Sequence, residues 1–426
     1  MNAEIIAVGS ELLTPHRWDT NSLFITGQLN QIGIDVVYKT VVGDDRGRLT
    51  EAISLAWKRS ELVITIGGLG PTEDDLTREC AAAALGRSLH RDDTLADGIV
   101  ARFRSRGIPM PEINLRQAMV IDGADIIRNP RGTAPGLWLE EGHRILILLP
   151  GPPRELHPMF ETLIVPRLQQ VVPPTAIRTR VLRTTGLTES AVDELVAPIY
   201  TKYSNPVTTI LTAPGEIQIH LKGFGKDEAE ALSILNELAL QLEKVLGHRV
   251  FSTTGENLEE IVGQSLRLRK ATVAVAESCT GGLLAQRITS VPGSSSYFWG
   301  GVVCYSNASK QDWVGVTPEA LATHGAVSSA VAKALAEGAR KQAGATLGVG
   351  ITGIAGPEGG TSEKPVGLVY LAVAAGHGTQ VLEKRFVGDR ELIRWQASQT
   401  ALDMIRSALK GDSEAEDMEK VSGVRC

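Results

Sequence analysis

T-V-A-V-A-E-S-C-T-G-G-L-L-A-Q-R-I-T, Thr272 to Thr289, is the stretch from which the fold is read. Its first residues, 272–275, form a short apolar run that reads as a buried strand. Its last, 283–289, read as the opening turns of a helix. Between them, A-E-S-C-T-G-G (Ala276 to Gly282) sets small hydroxyls and a glycine pair at a strand-to-helix turn. A hydroxyl there lies where helix N-terminal N–H groups converge. That position suits a nucleophile beside an oxyanion hole. It equally suits a serine that caps the helix.

The same alternation of strand and helix continues outward. Residues 255–269 are amphipathic and open this last part, which runs to about residue 410. The tail, 411–426, is polar and charged and reads as disordered. At the other end, 4–8, 35–42 and 62–66 read as strands. Helical patterns at 21–31 and 49–57 separate them. This order implies a parallel sheet with right-handed crossovers, whose ligands collect beyond the carboxyl ends of the strands. A further strand at 144–149 runs into P-G-P-P-R, and 154–168 looks helical. V-P-P-T, Val172 to Thr175, marks a boundary. Beyond it, strands at 178–185 and 216–223 and helices at 189–200 and 227–246 make a small α+β module. The expectation is an α/β chain of three parts: 1–172, 176–248 and 255–410.

A chain of 426 residues exceeds one ordinary core. The net charge of −6 gives no electrostatic case for nucleic acid as the main partner. Cys80, Cys279, Cys304 and Cys426 lie far apart with no C-x-x-C pair, which argues against a zinc site or a secreted disulfide framework. The opening M-N-A-E-I-I-A-V-G-S resembles a first strand more than a signal peptide. No apolar run reaches spanning length. A cytoplasmic protein with no membrane partner is expected. The 44 glycines suit the tight turns of phosphate-handling α/β proteins.

Three segments of the last part carry the chemistry: A-E-S-C-T-G-G-L-L-A, then P-G-S-S-S-Y-F-W-G-G-V-V-C-Y-S-N-A-S-K (Pro292 to Lys310), then G-I-T-G-I-A-G-P-E-G-G (Gly350 to Gly360). Ser278 is the candidate nucleophile and Lys310 its base, provided burial leaves the amine neutral. No histidine falls within these segments, so a Ser–His–Asp triad is the poorer device. Backbone N–H groups of Cys279, Thr280 and Gly281 are candidates for the oxyanion hole. Tyr305 is a candidate donor to the dyad or substrate. The plain alternatives are a surface lysine for Lys310, a core tyrosine for Tyr305, and Cys279 as nucleophile in place of serine. Thr352, Gly353 and Gly356 lie in a loop able to cradle ribose or phosphate, or to make a tight crossover turn. Arg385 is a candidate phosphate partner near Asp389 and Arg390. Ser294 to Ser296 read as a hydroxyl cluster or as an N-cap.

Over about 255–408 these motifs resemble the C-terminal domain of the CinA (competence/damage-inducible) family, which also occurs alone as a nicotinamide-nucleotide amidase. The resemblance implies hydrolysis of the carboxamide of nicotinamide mononucleotide, giving nicotinate mononucleotide and ammonia. It makes Ser278 the attacking residue, requires no cofactor at that site, and implies a homodimer.

In the first part, Gly67-Gly68-Leu69-Gly70-Pro71-Thr72-Glu73-Asp74-Asp75 follows a strand and opens a helix. It is a phosphate-cradling position, though not a Walker loop, because no lysine follows the glycines. Gly67, Gly68, Gly70 and Thr72 are candidate ligand contacts. With G-S-E-L, V-G-D-D, G-T-A-P-G and L-P-G-P-P, this region, about 1–170, resembles the molybdopterin-binding fold. The CinA family carries that domain in front and associates it with metal-dependent cleavage of ADP-ribose into AMP and ribose 5-phosphate. Asp44, Asp74, Asp75 and Glu11 are the candidate ligands for a divalent metal. One of Asp74 and Asp75 reads as a helix N-terminal charge, since adjacent residues do not face one site. A domain that binds nucleotide with no metal stays open. The middle module resembles the family's KH-like domain. Its Gly223-Phe224-Gly225-Lys226 has one residue too few for the RNA-gripping G-x-x-G loop, so a structural or dimerising role is expected.

Overall fold

The structure is a computed structural model that describes residues 1–172 and 175–422, with the backbone alone for 411–422. Two compact units form: Met1–Thr179 with Lys222–Asn236, and Arg180–Leu221 with the chain from Glu237 onward. Among the described residues no helix is long and apolar enough to cross a membrane.

The first unit opens with β1 (Asn2–Val8), α1 (Thr20–Gln31), β2 (Asp35–Val42), α2 (Arg46–Arg59), β3 (Leu62–Ile66) and α3 (Thr77–Ala84). A side flap follows: β4 (Leu89–Arg91), α4 (Asp93–Ser105) and β5 (Met119–Ile121), with β4 and β5 paired antiparallel. The chain then adds β6 (Asp125–Ile127), β7 (Gly136–Glu141), β8 (Arg144–Leu149), α5 (Pro153–Met159) and α6 (Val165–Val171). The sheet order is β2-β1-β3-β8-β7-β6. Successive side chains of a strand face opposite ways. Ile5 therefore packs with Ile64 and Ile147 beneath Ile25 and Leu29 of α1. Ile6 packs with Val63 and Leu146 beneath Leu49 and Ile53 of α2. The chain runs from β1 to β2 on one side and crosses to β3 on the other, so the ends of β1 and β3 form a topological switch point.

The parallel sheet expected from the order of β1, β2 and β3 is present, and two strands not read from the sequence extend it. β2, β1, β3 and β8 are parallel, but β7 and β6 are antiparallel additions. The cause is local. Glu141 pairs with Arg144, and Gly142, at φ 63°, makes the two-residue turn that joins β7 to β8. The helix expected at 154–168 is broken by a π turn, Phe160–Ile164, just before Pro166, which lacks the N–H that a continuous helix needs.

The middle segment holds β9 (Ala176–Thr184), α7 (Glu189–Tyr200), β10 (Val207–Ala213), β11 (Glu216–Gly225), α8 (Glu228–Leu246) and β12 (Val250–Ser252), with sheet order β10-β11-β9-β12. Gly223 and Gly225 belong to β11 and form no loop. A Cβ on Gly223 would meet Leu235 at 2.8 Å, and one on Gly225 would meet the Ala231 nitrogen at 2.4 Å. These glycines serve helix–strand packing.

The last part comprises α9 (Leu258–Leu268), β13 (Val273–Glu277), α10 (Leu283–Thr289), β14 (Phe298–Val303), α11 (Asn307–Val314), α12 (Pro318–His324), α13 (Ser329–Ala343), β15 (Leu347–Gly353), β16 (Leu368–Ala375), β17 (Gly378–Arg385) and α14 (Arg390–Ser422). The order is β14-β13-β15-β16-β17, parallel across β14, β13 and β15 and antiparallel beyond. Val273, Val275, Val349 and Ile351 face α9, α10 and α14. On the opposite face α13 lies close, because a Cβ on Gly348 or Gly350 would fall 2.1 or 2.3 Å from a carbonyl of α13. α14 continues as helix through 411–422, so the expected disordered tail does not begin at residue 411. Residues 423–426 lie outside the described residues.

Candidate active site

β13 delivers its last residues to the carboxyl edge of the sheet, where the Ser278 N–H donates to the Ile351 carbonyl at 2.9 Å and extends the ladder to β15. The next turn is organised by Glu277, 1% exposed, which sequence reading passed over. Its carboxylate accepts from the N–H groups of Gly282 (3.1 Å), Leu284 (3.1 Å) and Ala285 (2.8 Å). Glu277 thus fills the N-terminus of α10, and Ser278 is not its cap. Gly281 donates to the Ser278 carbonyl at 3.1 Å. The N–H groups of Cys279 and Thr280 find no oxygen acceptor among the described residues. Of the expected Cys279–Gly281 set, Gly281 is thus committed to Ser278, while the Cys279 and Thr280 N–H groups face the Cys279 sulfur. Gly281 and Gly282, at φ 61° and 92°, make the reversal that follows.

Lys310 arrives from α11, whose start is held by reciprocal hydrogen bonds between Ser306 and Ser309. Its side chain is 1% exposed, so the surface-lysine alternative falls. Nζ lies 3.3 Å from Ser278 Oγ, 2.9 Å from the Cys304 carbonyl and 3.2 Å from the Tyr305 carbonyl. Burial lowers the pKa of the amine. A neutral amine has two N–H donors for the two carbonyls and one lone pair left for the serine. Cys279 beside it is buried, and burial pushes its thiol up to about 12, which keeps it protonated at neutral pH.

The other expected residues divide. Tyr305 is 61% exposed, so it is not a core tyrosine. Its hydroxyl accepts from Arg390 Nη2 at 3.0 Å, while Arg390 Nη1 donates to the Gly356 carbonyl at 2.8 Å. Arg390 is therefore the arginine tied to this edge. Arg385 instead faces Glu383 at 3.7 Å and lines a separate cavity with Thr188 and Gln396. Thr352 is buried and its hydroxyl donates to the Ala326 carbonyl at 2.8 Å, so it tethers a loop and presents no free donor. Gly353 is a packing glycine, since its Cβ would fall 2.7 Å from Val369. Ser294–Ser296 form a 3-10 turn whose Ser296 hydroxyl returns to the Gly293 carbonyl. Arg394, unnoticed in the sequence, donates to the Thr280 carbonyl at 3.0 and 2.7 Å and holds the turn that follows Ser278. The Thr280 hydroxyl is buried with no partner among the described residues.

In the first unit a cavity of about 640 Å³ opens at the ends of β1, β3 and β8. Gly67, Gly68, Gly70, Glu11, Asp44, Asp74 and Asp75 all line it. Thr72 does not. Its N–H and hydroxyl donate to the Asp75 carboxylate at 2.9 and 2.6 Å. That carboxylate braces the loop, and neither aspartate caps α3. Asp44 accepts from the Ser10 N–H at 2.7 Å. The loop rests on Arg78, 1% exposed, which donates to the Leu69 and Gly70 carbonyls at 2.8 and 2.9 Å. Among the described residues no group of three His, Cys, Asp or Glu side chains is placed to hold a metal. The four acidic residues line the cavity with no three of them drawn together among the described residues, so a divalent ion there would be held by one or two carboxylates with water and ligand phosphate.

Residues 255–409 match the CinA C-terminal domain, 4–170 the probable molybdopterin binding domain and 179–252 the damage-inducible protein CinA KH domain. A CinA-like protein of Koribacter versatilis is 54% identical over 96% of this chain and 100% of its own. One of Solibacter usitatus is 50% identical over 97% and 100%. A putative competence-damage inducible protein of Moorella thermoacetica is 44% identical over 97% and 100%. Fold and matches together define a three-module chain, with a molybdopterin-binding-like domain in front, a KH domain between and an α/β domain behind. The chain belongs to the CinA family.

Proposed function

We propose that the C-terminal domain is a serine–lysine amidase that converts nicotinamide mononucleotide to nicotinate mononucleotide and ammonia. The observation that carries this reading is the buried Lys310 amine 3.3 Å from Ser278 Oγ, with two carbonyls holding its hydrogens. The substrate comes from the family resemblance.

Ser278 Oγ attacks the carboxamide carbon as its proton passes to Lys310 Nζ. The carbonyl oxygen takes up the electron pair and is met by the Cys279 and Thr280 N–H groups. The tetrahedral intermediate then collapses. Lys310 returns the proton to the departing nitrogen, ammonia leaves, and an ester joins Ser278 to the nicotinoyl carbon. Water attacks that ester with Lys310 again accepting a proton. The C–O bond to Ser278 breaks, the serine recovers its hydrogen, and nicotinate mononucleotide is released. Arg390 and Tyr305 hold the rim where the rest of the nucleotide lies.

Incubation of the wild-type protein with nicotinamide mononucleotide tests this. Ammonia and nicotinate mononucleotide in equal amounts are expected. No release from well-folded protein overturns the reading in favour of a binding or scaffold protein.

For the N-terminal cavity the proposal is ADP-ribose as ligand and, with added divalent metal, its cleavage to AMP and ribose 5-phosphate. The glycine loop over buried Arg78 supports an anionic ligand. Product analysis with and without a chelator decides it, and metal-independent turnover discards the metal requirement. The homodimer belongs to the same proposal. β14 is an edge strand that presents Trp299, 64% exposed, to solvent. Sedimentation velocity is expected to show a dimer, and a monomer would remove it.

A further inference from the structure

Gln117 lies in the 3-10 segment Glu112–Ala118 of the side flap and lines the N-terminal cavity. Its side chain is 3% exposed, and its carboxamide oxygen is buried with no hydrogen-bond partner among the described residues. A buried acceptor left unpaired is costly, so such a group in a cavity wall points to a ligand that supplies the missing donor. The wall is built to hold it still. Neighbouring Arg116 donates to the Thr72 carbonyl at 2.9 Å and pairs with Glu79 at 3.2 Å, which fixes this segment against the glycine loop. Asp92 donates from its N–H to the Ala118 carbonyl at 2.9 Å on the other side.

We propose that Gln117 is a specificity-determining residue of the N-terminal cavity, whose carboxamide accepts a hydrogen bond from an N–H or O–H group of the bound nucleotide. This rests on reading the cavity as a nucleotide site. A wall residue of this kind acts by discrimination. A ligand with an apolar group at that position leaves the carboxamide unsatisfied and binds less well. The donor is either the amino group of the base or a ribose hydroxyl, and the two ends of the nucleotide separate these sources.

The test compares wild type with Gln117→Met, which keeps the length of the side chain and removes its hydrogen bonding. Calorimetry with AMP, ribose 5-phosphate and a non-hydrolysable methylene analogue of ADP-ribose gives Kd, and thermal unfolding without ligand gives Tm. The expected result is an unchanged or raised Tm with binding of the analogue weakened about tenfold. The same loss with AMP alone assigns the donor to the adenosine half, and with ribose 5-phosphate alone to the other ribose. Equal Kd values for the two proteins overturn the inference, as does a lowered Tm with unchanged Kd, which would make Gln117 a residue of the fold. If Gln117→Met loses both, Gln117→Asn decides, because it retracts the amide by one methylene. Weakened binding at unchanged Tm upholds the inference, and intact binding overturns it. Failure of wild type to bind any of the three removes the nucleotide reading and this inference with it.

Discussion

At Lys310 one burial does two things. It brings the amine to Ser278, and it disfavours the charged form that would make the amine useless as a base. The active form is the neutral one, so kcat/KM is expected to rise with pH through a pKa below the ordinary lysine value of 10.5. A rate that falls across that rise would contradict it. The same shift has a sign for stability. The unfolded chain binds more protons than the folded one between the lowered pKa and 10.5, so stability rises with pH across that window. Lys310→Met is expected to flatten that slope, measured as Tm against pH. Cys279→Ala should keep most of the activity, within about threefold, because the thiol stays protonated and the backbone N–H remains. Loss beyond about a hundredfold in an ammonia assay would return the cysteine to the mechanism. Ser278 and Lys310 were legible from the sequence because each is a distinctive residue in a distinctive segment. Glu277 and Arg394 were not, for they act on backbone groups, and backbone contacts leave no spacing to read.

Among the elements, the turn between β13 and α10 stands on Glu277. Glu277→Gln removes a charge that faces three N–H groups and is expected to cost about 1–2 kcal/mol of stability. Urea unfolding measures this, and a midpoint equal to wild type would show that the carboxylate is dispensable. Gly350→Ala drives a Cβ against the Ala332 carbonyl at 2.3 Å, an overpacking expected to cost about 1–3 kcal/mol in the same assay. The parallel strands and their helices were readable because apolar runs alternate with amphipathic stretches. β8 was read, but β6 and β7 were missed, because β6 is only three residues long and β7 meets β8 through a two-residue turn, so both resemble loop in sequence. Where a disordered tail from residue 411 was expected, the backbone is helical as far as Ser422.

For the whole molecule, each proposed site is built within one compact unit. The Ser278 and Lys310 substitutions are therefore expected to leave the affinity of the N-terminal cavity for the ADP-ribose analogue within about twofold of wild type. A tenfold change by calorimetry would mean that the units are energetically coupled. The order of domains was legible from V-P-P-T and from the change of pattern on either side. The cavity wall and its support were not, because Gln117 comes to the wall from the flap and Arg78 to the glycine loop from α3, and only their burial marks them.

Ammonia release from nicotinamide mononucleotide by Ser278→Ala, set against wild type at the same protein concentration, tests the dyad most directly. A loss of at least about a thousandfold with Tm unchanged is expected for a nucleophile. Ammonia from both proteins at the same rate would contradict the account.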